Sequence, residues 1–293
     1  MGIIRIESQD DGRLSEFRNV PDPHLLRHRG LFVAEGRLVV TRLLASGLET
    51  RALLVTEAAL ASLESLLTDG TFPVYVVPHA VMNGVTGFNF HRGCLAIGVR
   101  PPAHDWREVI AGRQDQAHNM TQGLADGSQP RQTSPLVVLE RIGNVDNIGS
   151  IFRSAAAFGV GGVLLQEDCA DPLYRKAIRT SMAASLTMPY AMVPWPDGLR
   201  ELRECGWATV AMTPAADAPV LREVAATLRG QRVAIVLGHE GDGLTQGALA
   251  ACTHRARIAM ANQVDSVNVA TAAAIALYEI VRGSGDPITK LQD

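Results

Sequence analysis

PLVVLERIGNVDNIGSIFRSAAAFG (residues 135–159) passes from an apolar, β-rich run through a polar turn into a helix-forming stretch. The run PLVVLE (135–140) is continuous rather than alternating, the pattern of a strand buried on both faces. Five further runs follow it: GGVLLQE (161–167), YAMVPW (190–195), WATVAM (207–212), RVAIVLG (232–238) and ARIAMA (256–261). Helical stretches at 148–159, 173–185, 245–253 and 268–281 separate most of them. Strands joined by helices predict an α/β domain over residues 135–293, built on a parallel sheet covered on both faces. Ligands of such sheets bind beyond the carboxyl ends of the strands, so the strand-to-helix turns become the candidate sites.

Upstream, LFVAEGRLVVTRLLASG (31–47) has apolar residues at helical spacing and predicts a helix, as does AALASLESLL (58–67). RALLVT (51–56), PVYVVP (73–78) and CLAIGVR (94–100) read as strands. Residues 1–102 are therefore expected to form a small α/β domain, and the polar stretch 103–134 a linker. A chain of 293 residues, 47% hydrophobic and 19% charged, fits two globular domains and excludes disorder, collagen and coiled coil. No apolar run approaches the roughly 20 residues of a membrane helix. The opening MGIIRIESQDDGRLSEFRNV carries acids where a signal peptide has basic and apolar regions, so a cytoplasmic chain is expected. Four scattered cysteines without a CxxC pair predict reduced thiols and no metal site. The net charge of −3 gives no bulk support for nucleic-acid binding and leaves only local patches.

Three turns stand out. In RIGNVDNIGSIFRSAAAFG, Asn147 can cap a helix that holds Gly149 and Arg153 four residues apart on one face. An arginine one turn into a helix opposes the macrodipole and calls for an anion or polar partner. Asn147 also reads as a simple N-cap, Gly149 as a packing glycine and Arg153 as a solvated cation. In GHEGDGL (238–244), three glycines let the backbone approach a ligand, and Glu240 could pair with Arg153 or cap the next helix. This is neither GxGxxG nor GxxxxGK[ST], which disfavours a nicotinamide enzyme and a phosphate-loop NTPase. In IAMANQVDSVNVATAAAIALYE (258–279), Asp265, Ser266 and Asn268 crowd a helix start, with Ser266 a candidate N-cap.

Taken in order, NVDNIGSIFRSAAAFG, IVLGHEGDGL and IAMANQVDSVNVATAAAIALYE resemble the three motifs of the SpoU (TrmH-like) branch of the SPOUT RNA methyltransferases, over residues 135–282. The resemblance implies a C-terminal trefoil-knotted domain, S-adenosylmethionine as cofactor, a homodimer, and methylation of a ribose 2′-hydroxyl in rRNA or tRNA. Residues 1–102, through FVAEGRLVVTRLL and GFNFHRGCLAIGV, resemble the ribosomal-protein-like substrate-binding domain often placed in front. Departures from the family pattern are His239 for a common Asn or Ser, Ala259 and Ala261 for frequent Pro and Gly, Val267 for Leu, and Ala183 for Gly.

By the same resemblance, Arg153 acts at the hydroxyl as base or orienting cation, with Asn147 and Asn268 positioning substrate and loop. Glu240 would hold Arg153 or the RNA-side network, and Ser266 would anchor the site. Leu237, Gly238, Ile258, Met260, Ser266 and Val267 match a backbone-lined adenosine pocket. Arg27, Arg29, His91 and Arg92, with Phe88, are the candidate RNA contacts. The rival readings are a catalytically inactive RNA- or ribosome-binding protein of the same fold, a nucleotide-dependent enzyme, and methylation of a base.

Overall fold

The computed structural model describes residues 2–18, 22–67, 71–87, 93–111, 134–261 and 266–283. It divides into two units, Met1–Pro102 with Asp171–Thr187, and Ala103–Ala170 with Met188–Asp293.

The first unit contains β1 (Gly2–Arg5), α1 (Asp22–Arg29), β2 (Leu31–Glu35), α2 (Arg37–Ala45), β3 (Thr50–Val55), α3 (Glu57–Leu63), β4 (Pro73–Val76), α4 (His79–Thr86) and β5 (Cys94–Val99). Its sheet runs β1-β4-β3-β5-β2, with β1, β4 and β3 parallel and β5 antiparallel to both its neighbours. Phe17, Leu25, Val33, Leu54, Met82 and Ile97 meet in the core. The stretch 31–47, expected as one helix, is a strand and then a helix. Gly36 separates them at φ 92, a conformation glycine takes without strain. All five residues of β2 are buried, and that burial overrides the helical spacing of their apolar side chains.

The second unit begins inside the stretch expected to be linker. Helix α5 (106–111) buries Trp106, Val109 and Ile110 against Leu136, Leu164 and Leu199. The apolar spacing through Ile110 is core and not linker, and residues 112–133 lie outside the described residues. The chain continues through β6 (Leu136–Leu139), α6 (Val145–Ala157) and β7 (Gly162–Leu165). It then leaves for α7 (Arg175–Thr180) and α8 (Ala184–Thr187), which cluster with the first unit. There Asp22 accepts a 2.8 Å hydrogen bond from the Arg175 amide, and Arg100 pairs with Asp171 at 2.6 Å. The single helix expected over 173–185 is broken by Met182 and Ala183, both left-handed at φ 53 and 67, where an α-helix cannot continue.

The chain then returns for β8 (Tyr190–Met192), α9 (Asp197–Glu204), β9 (Trp207–Met212), α10 (Leu221–Thr227), β10 (Arg232–Leu237), α11 (Gln246–Ala251), β11 (His254–Ala256) and α12 (Val269–Gly283). Six strands form one parallel sheet in the order β11-β9-β10-β6-β7-β8. Side chains of α5, α9 and α11 cover one face, while α12 packs on β10 and on α6 and α10. The strands expected at 190–195 and 256–261 are shorter or displaced, so Ile258 and Met260 lie past the carboxyl end of β11. All strands being parallel, every carboxyl end faces one edge, and the three motif turns gather there.

Among the described residues no helix is long and apolar enough to cross a membrane, and no three His, Cys, Asp or Glu side chains cluster to hold a metal. The four cysteines are unpaired; Cys94 and Cys169 are buried, Cys252 is partly buried and Cys205 is exposed. Burial pushes the Cys169 thiol up to about 11 and that of Cys252 up to about 12, keeping both protonated at neutral pH. Trp106→Ala removes the largest side chain that α5 gives to the core. It should cost about 3–5 kcal/mol in urea unfolding of the second unit; a loss below about 1 kcal/mol would show that α5 is not part of that core.

Candidate active site at the carboxyl edge of the sheet

Helix α6 starts at the end of β6 and is capped by Asn144, whose Oδ1 accepts from the Asp146 amide at 2.9 Å. Asn147 is therefore not the cap but the third helical residue, buried, with its amide turned toward the next two turns. Its Nδ2 donates to Glu240 Oε1 at 2.8 Å, and its Oδ1 accepts from Asn268 Nδ2 at 3.0 Å. Three residues from three separate turns thus form one hydrogen-bonded chain, Glu240–Asn147–Asn268. The amide of Asn147 uses donor and acceptor at once, a role that neither Asp nor Leu fills.

Asn268 also caps α12: its Oδ1 accepts from the amides of Ala270 at 2.9 Å and Thr271 at 3.4 Å. The cap is Asn268 and not Ser266, which is exposed just before it. Asp265 lies outside the described residues.

The loop 238–244 folds back tightly on itself. A Cβ on Gly238 would sit 2.4 Å from the Gly243 carbonyl carbon and the Leu244 nitrogen, so no side chain fits. The Gly243 amide donates to the His239 carbonyl at 3.0 Å. His239 Nδ1 accepts from the amides of Gly241 and Asp242, each at 3.1 Å. The ring thereby serves the turn as an Asn or Asp oxygen would.

Both ends of this loop are held by Glu140, which the sequence reading did not single out. Its amide donates to the Leu237 carbonyl at 2.9 Å, just before the loop. Its carboxylate, 1% exposed, accepts from the Thr245 amide at 2.9 Å and hydroxyl at 2.7 Å, just after the loop, and from Trp195 Nε1 at 2.6 Å. Thr245 in turn caps α11, taking the amide of Ala248 at 3.3 Å. Glu240 therefore neither caps the following helix nor pairs with Arg153. Thr245 was legible as an N-cap before an apolar run; nothing local in PLVVLE marks Glu140 as buried.

Arg153 is exposed on α6, and no hydrogen bond or ion pair joins it to a described residue. Because α6 begins at Val145, Arg153 lies more than two turns in, about 9 Å along the axis from Asn147, rather than one turn from the mouth. Leu237 is buried at the end of β10, and Gly238, Ile258, Met260 and Val267 are half-buried at the same edge of the sheet. In the first unit, Arg27 and Arg29 are exposed on α1, with Arg29 3.9 Å from Glu16. Phe88, His91 and Arg92 lie outside the described residues.

Residues 134–278 match the SpoU rRNA Methylase family. An uncharacterized tRNA/rRNA methyltransferase of Mycobacterium tuberculosis is 40% identical over 278 residues, covering 93% of this chain and 90% of that protein. The 23S rRNA (guanosine-2′-O-)-methyltransferase RlmB of Xylella fastidiosa is 36% identical over 148 residues, 50% of this chain and 58% of its own. Among solved structures, the AdoMet-bound rRNA methyltransferase of Sinorhizobium meliloti superposes with a TM-score of 0.78 at 22% identity, covering 96% of this chain and 98% of that one. An RNA 2′-O ribose methyltransferase superposes at 0.73 with 25% identity, covering 96% and 99%. With its three motif turns hydrogen-bonded into one site, the chain belongs to the SpoU family of RNA methyltransferases.

Proposed function

We propose that this protein transfers a methyl group from S-adenosylmethionine to a ribose 2′-hydroxyl of rRNA or tRNA. The observation that carries the reading is the Glu240–Asn147–Asn268 chain, which ties the three family turns into one polar centre. The name of the RlmB relative and that of the 25%-identical structure both specify the ribose oxygen, and this supports the choice of acceptor.

Ile258, Met260 and Val267 offer partly exposed apolar surface to an adenine ring, while Leu237, Gly238 and Ser266 supply backbone and hydroxyl groups for its edges and ribose. Bound there, S-adenosylmethionine provides an electrophilic methyl group on a sulfonium. A ribose hydroxyl is a poor nucleophile while it keeps its proton, so the protein must orient the oxygen and ease the proton away. Arg153 is exposed and has no partner among the described residues, and it holds the hydroxyl or its adjacent phosphate. As a proton acceptor it starts at a disadvantage, because a guanidinium gives up its proton reluctantly. Asn147 and Asn268 fix the angle between α6 and α12, and Glu240 sets an acceptor over the first turn of α6, where the helix dipole favours a negative charge.

The same reading makes the first unit the RNA-docking part, with Arg27 and Arg29 at phosphates. It makes the active protein a homodimer with a trefoil-knotted catalytic unit, working in the cytoplasm on RNA.

The test is calorimetric titration with S-adenosylmethionine, followed by labelled methyl transfer to total RNA from cells lacking the gene. Binding, with label in alkali-resistant dinucleotides, is expected. Binding of RNA without transfer would favour a catalytically inactive ribosome factor, and label in alkali-labile nucleotides would mean base methylation. Arg153→Ala should abolish transfer while leaving S-adenosylmethionine affinity within about twofold; equal loss of both would place Arg153 in the cofactor pocket instead. Asn147→Asp sets a second carboxylate against Glu240, where two charges repel at hydrogen-bond distance. Its stability relative to the parent should fall as pH rises, by about 2 kcal/mol from about pH 4 to about pH 8. A pH-independent difference in urea midpoints would contradict the contact.

A further inference from the structure

Arg141 immediately follows Glu140 and precedes the first motif turn, at the carboxyl end of β6. Three observations set it apart. Its backbone is left-handed at φ 52, a conformation that a long unbranched side chain gains nothing from and that concentrates at functional positions. That conformation is held in place: its amide donates to Oε1 of the buried Gln166 at 3.2 Å, and Gln166 is itself bonded to Asp168 at 2.9 Å. The guanidinium Nε is buried with no hydrogen-bond partner among the described residues, so one donor of the fork is unmet. Finally, the only anion paired with it there is Asp242 of the loop 238–244, at 3.6 Å and 72% exposed. An ion pair so long and so wet is weak and easily exchanged.

We infer that Arg141 is an RNA-phosphate contact of the active site, held in reserve by Asp242 until substrate arrives. The inference rests on the reading of the protein as an RNA methyltransferase. A planar guanidinium whose outer nitrogens meet only a long, solvated ion pair among the described residues suits a phosphate oxyanion, and a phosphodiester offers two oxygens to them. The position fits as well. Asp242 lies two residues from Glu240, and Glu240 is bonded to Asn147, so a phosphate on Arg141 lies beside the polar centre that positions the ribose. Asp242 lies on Nη1, so its exchange for phosphate replaces a solvated carboxylate by a phosphate oxygen at the outer nitrogens of the fork. His239, whose Nδ1 lies 3.8 Å from Asp242 and accepts two loop amides, keeps the loop closed when Asp242 lets go.

The experiment compares the full-length parent with Arg141→Ala, Arg141→Lys and Asp242→Asn. It measures binding of a short fluorescein-labelled single-stranded RNA from about 50 to about 200 mM KCl, binding of S-adenosylmethionine by calorimetry, and methyl transfer to rRNA. Arg141→Ala should weaken RNA binding about five- to tenfold and flatten the log–log salt slope by about 0.7, the loss of one phosphate contact. Arg141→Lys should keep the slope and recover only part of the affinity, since a point charge replaces a fork. Asp242→Asn should tighten RNA binding about two- to threefold by releasing the arginine and removing a negative charge. S-adenosylmethionine affinity should stay within about twofold in all three. An unchanged slope in Arg141→Ala, or a weakening of RNA binding in Asp242→Asn as large as that of Arg141→Ala, would show a structural latch and overturn the inference. A parent protein that transfers no methyl group and binds no RNA would instead overturn the methyltransferase reading, and this inference with it.

Discussion

The buried carboxylate of Glu140 is the constraint on which the site depends. A charge taken out of water costs several kcal/mol unless hydrogen bonds replace its solvation, and here three donors do so: the Thr245 amide, the Thr245 hydroxyl and the Trp195 indole. The same residue's amide holds the Leu237 carbonyl. One residue at the end of β6 thus fixes the last residue before the loop 238–244 and the first after it. Removing the carboxylate while leaving its donors in place would strand buried N–H and O–H groups, the expensive half of the exchange. Strand register, the start of α11 and the span of the loop are consequently set together.

With its ends fixed, the loop has little freedom left. Gly238 lies against the Gly243 and Leu244 backbone, and His239 gathers two amides inward, so Glu240 at the tip points to one place. That place is Asn147, and through it Asn268 and the start of α12. The order of dependence runs from sheet to loop to polar centre. It accounts for a site assembled from turns about 90 to 120 residues apart in the chain without a metal ligand set among the described residues. It also accounts for His239, since the turn needs an acceptor at that point and the imidazole supplies one.

The catalytic half of the fold was legible because parallel strands buried on both faces read as continuous apolar runs, and the motif turns sit between them. Boundaries were less so: β11 is three residues long and starts two residues upstream of the expected run, and β2 looked helical because burial, not spacing, decided it. Trp106 and Ile110 were read as the start of a linker, because a two-turn helix completing a distant core leaves no periodic signature. Of the site, Asn147, Glu240 and Asn268 were named from motif order, and the structure brings them together. Their partners were not foreseeable: Glu240 was expected to pair with Arg153 or to cap the next helix, and only tertiary distance brings it to Asn147. Ser266 and Asn268 both fit an N-cap rule, and the choice depends on where α12 begins. Glu140, Arg141 and Gln166 escaped notice because strand-end polar residues look solvated in sequence.

The most direct test of this account is a double-mutant cycle on Asn147→Ala and Asn268→Ala, read as kcat/KM for methyl transfer to RNA. If the two amides act as one unit with Glu240, the second substitution adds little, and the double variant stays within about twofold of the slower single variant. Losses that multiply, each substitution lowering kcat/KM by its full factor regardless of the other, would contradict a single hydrogen-bonded centre built from the three turns.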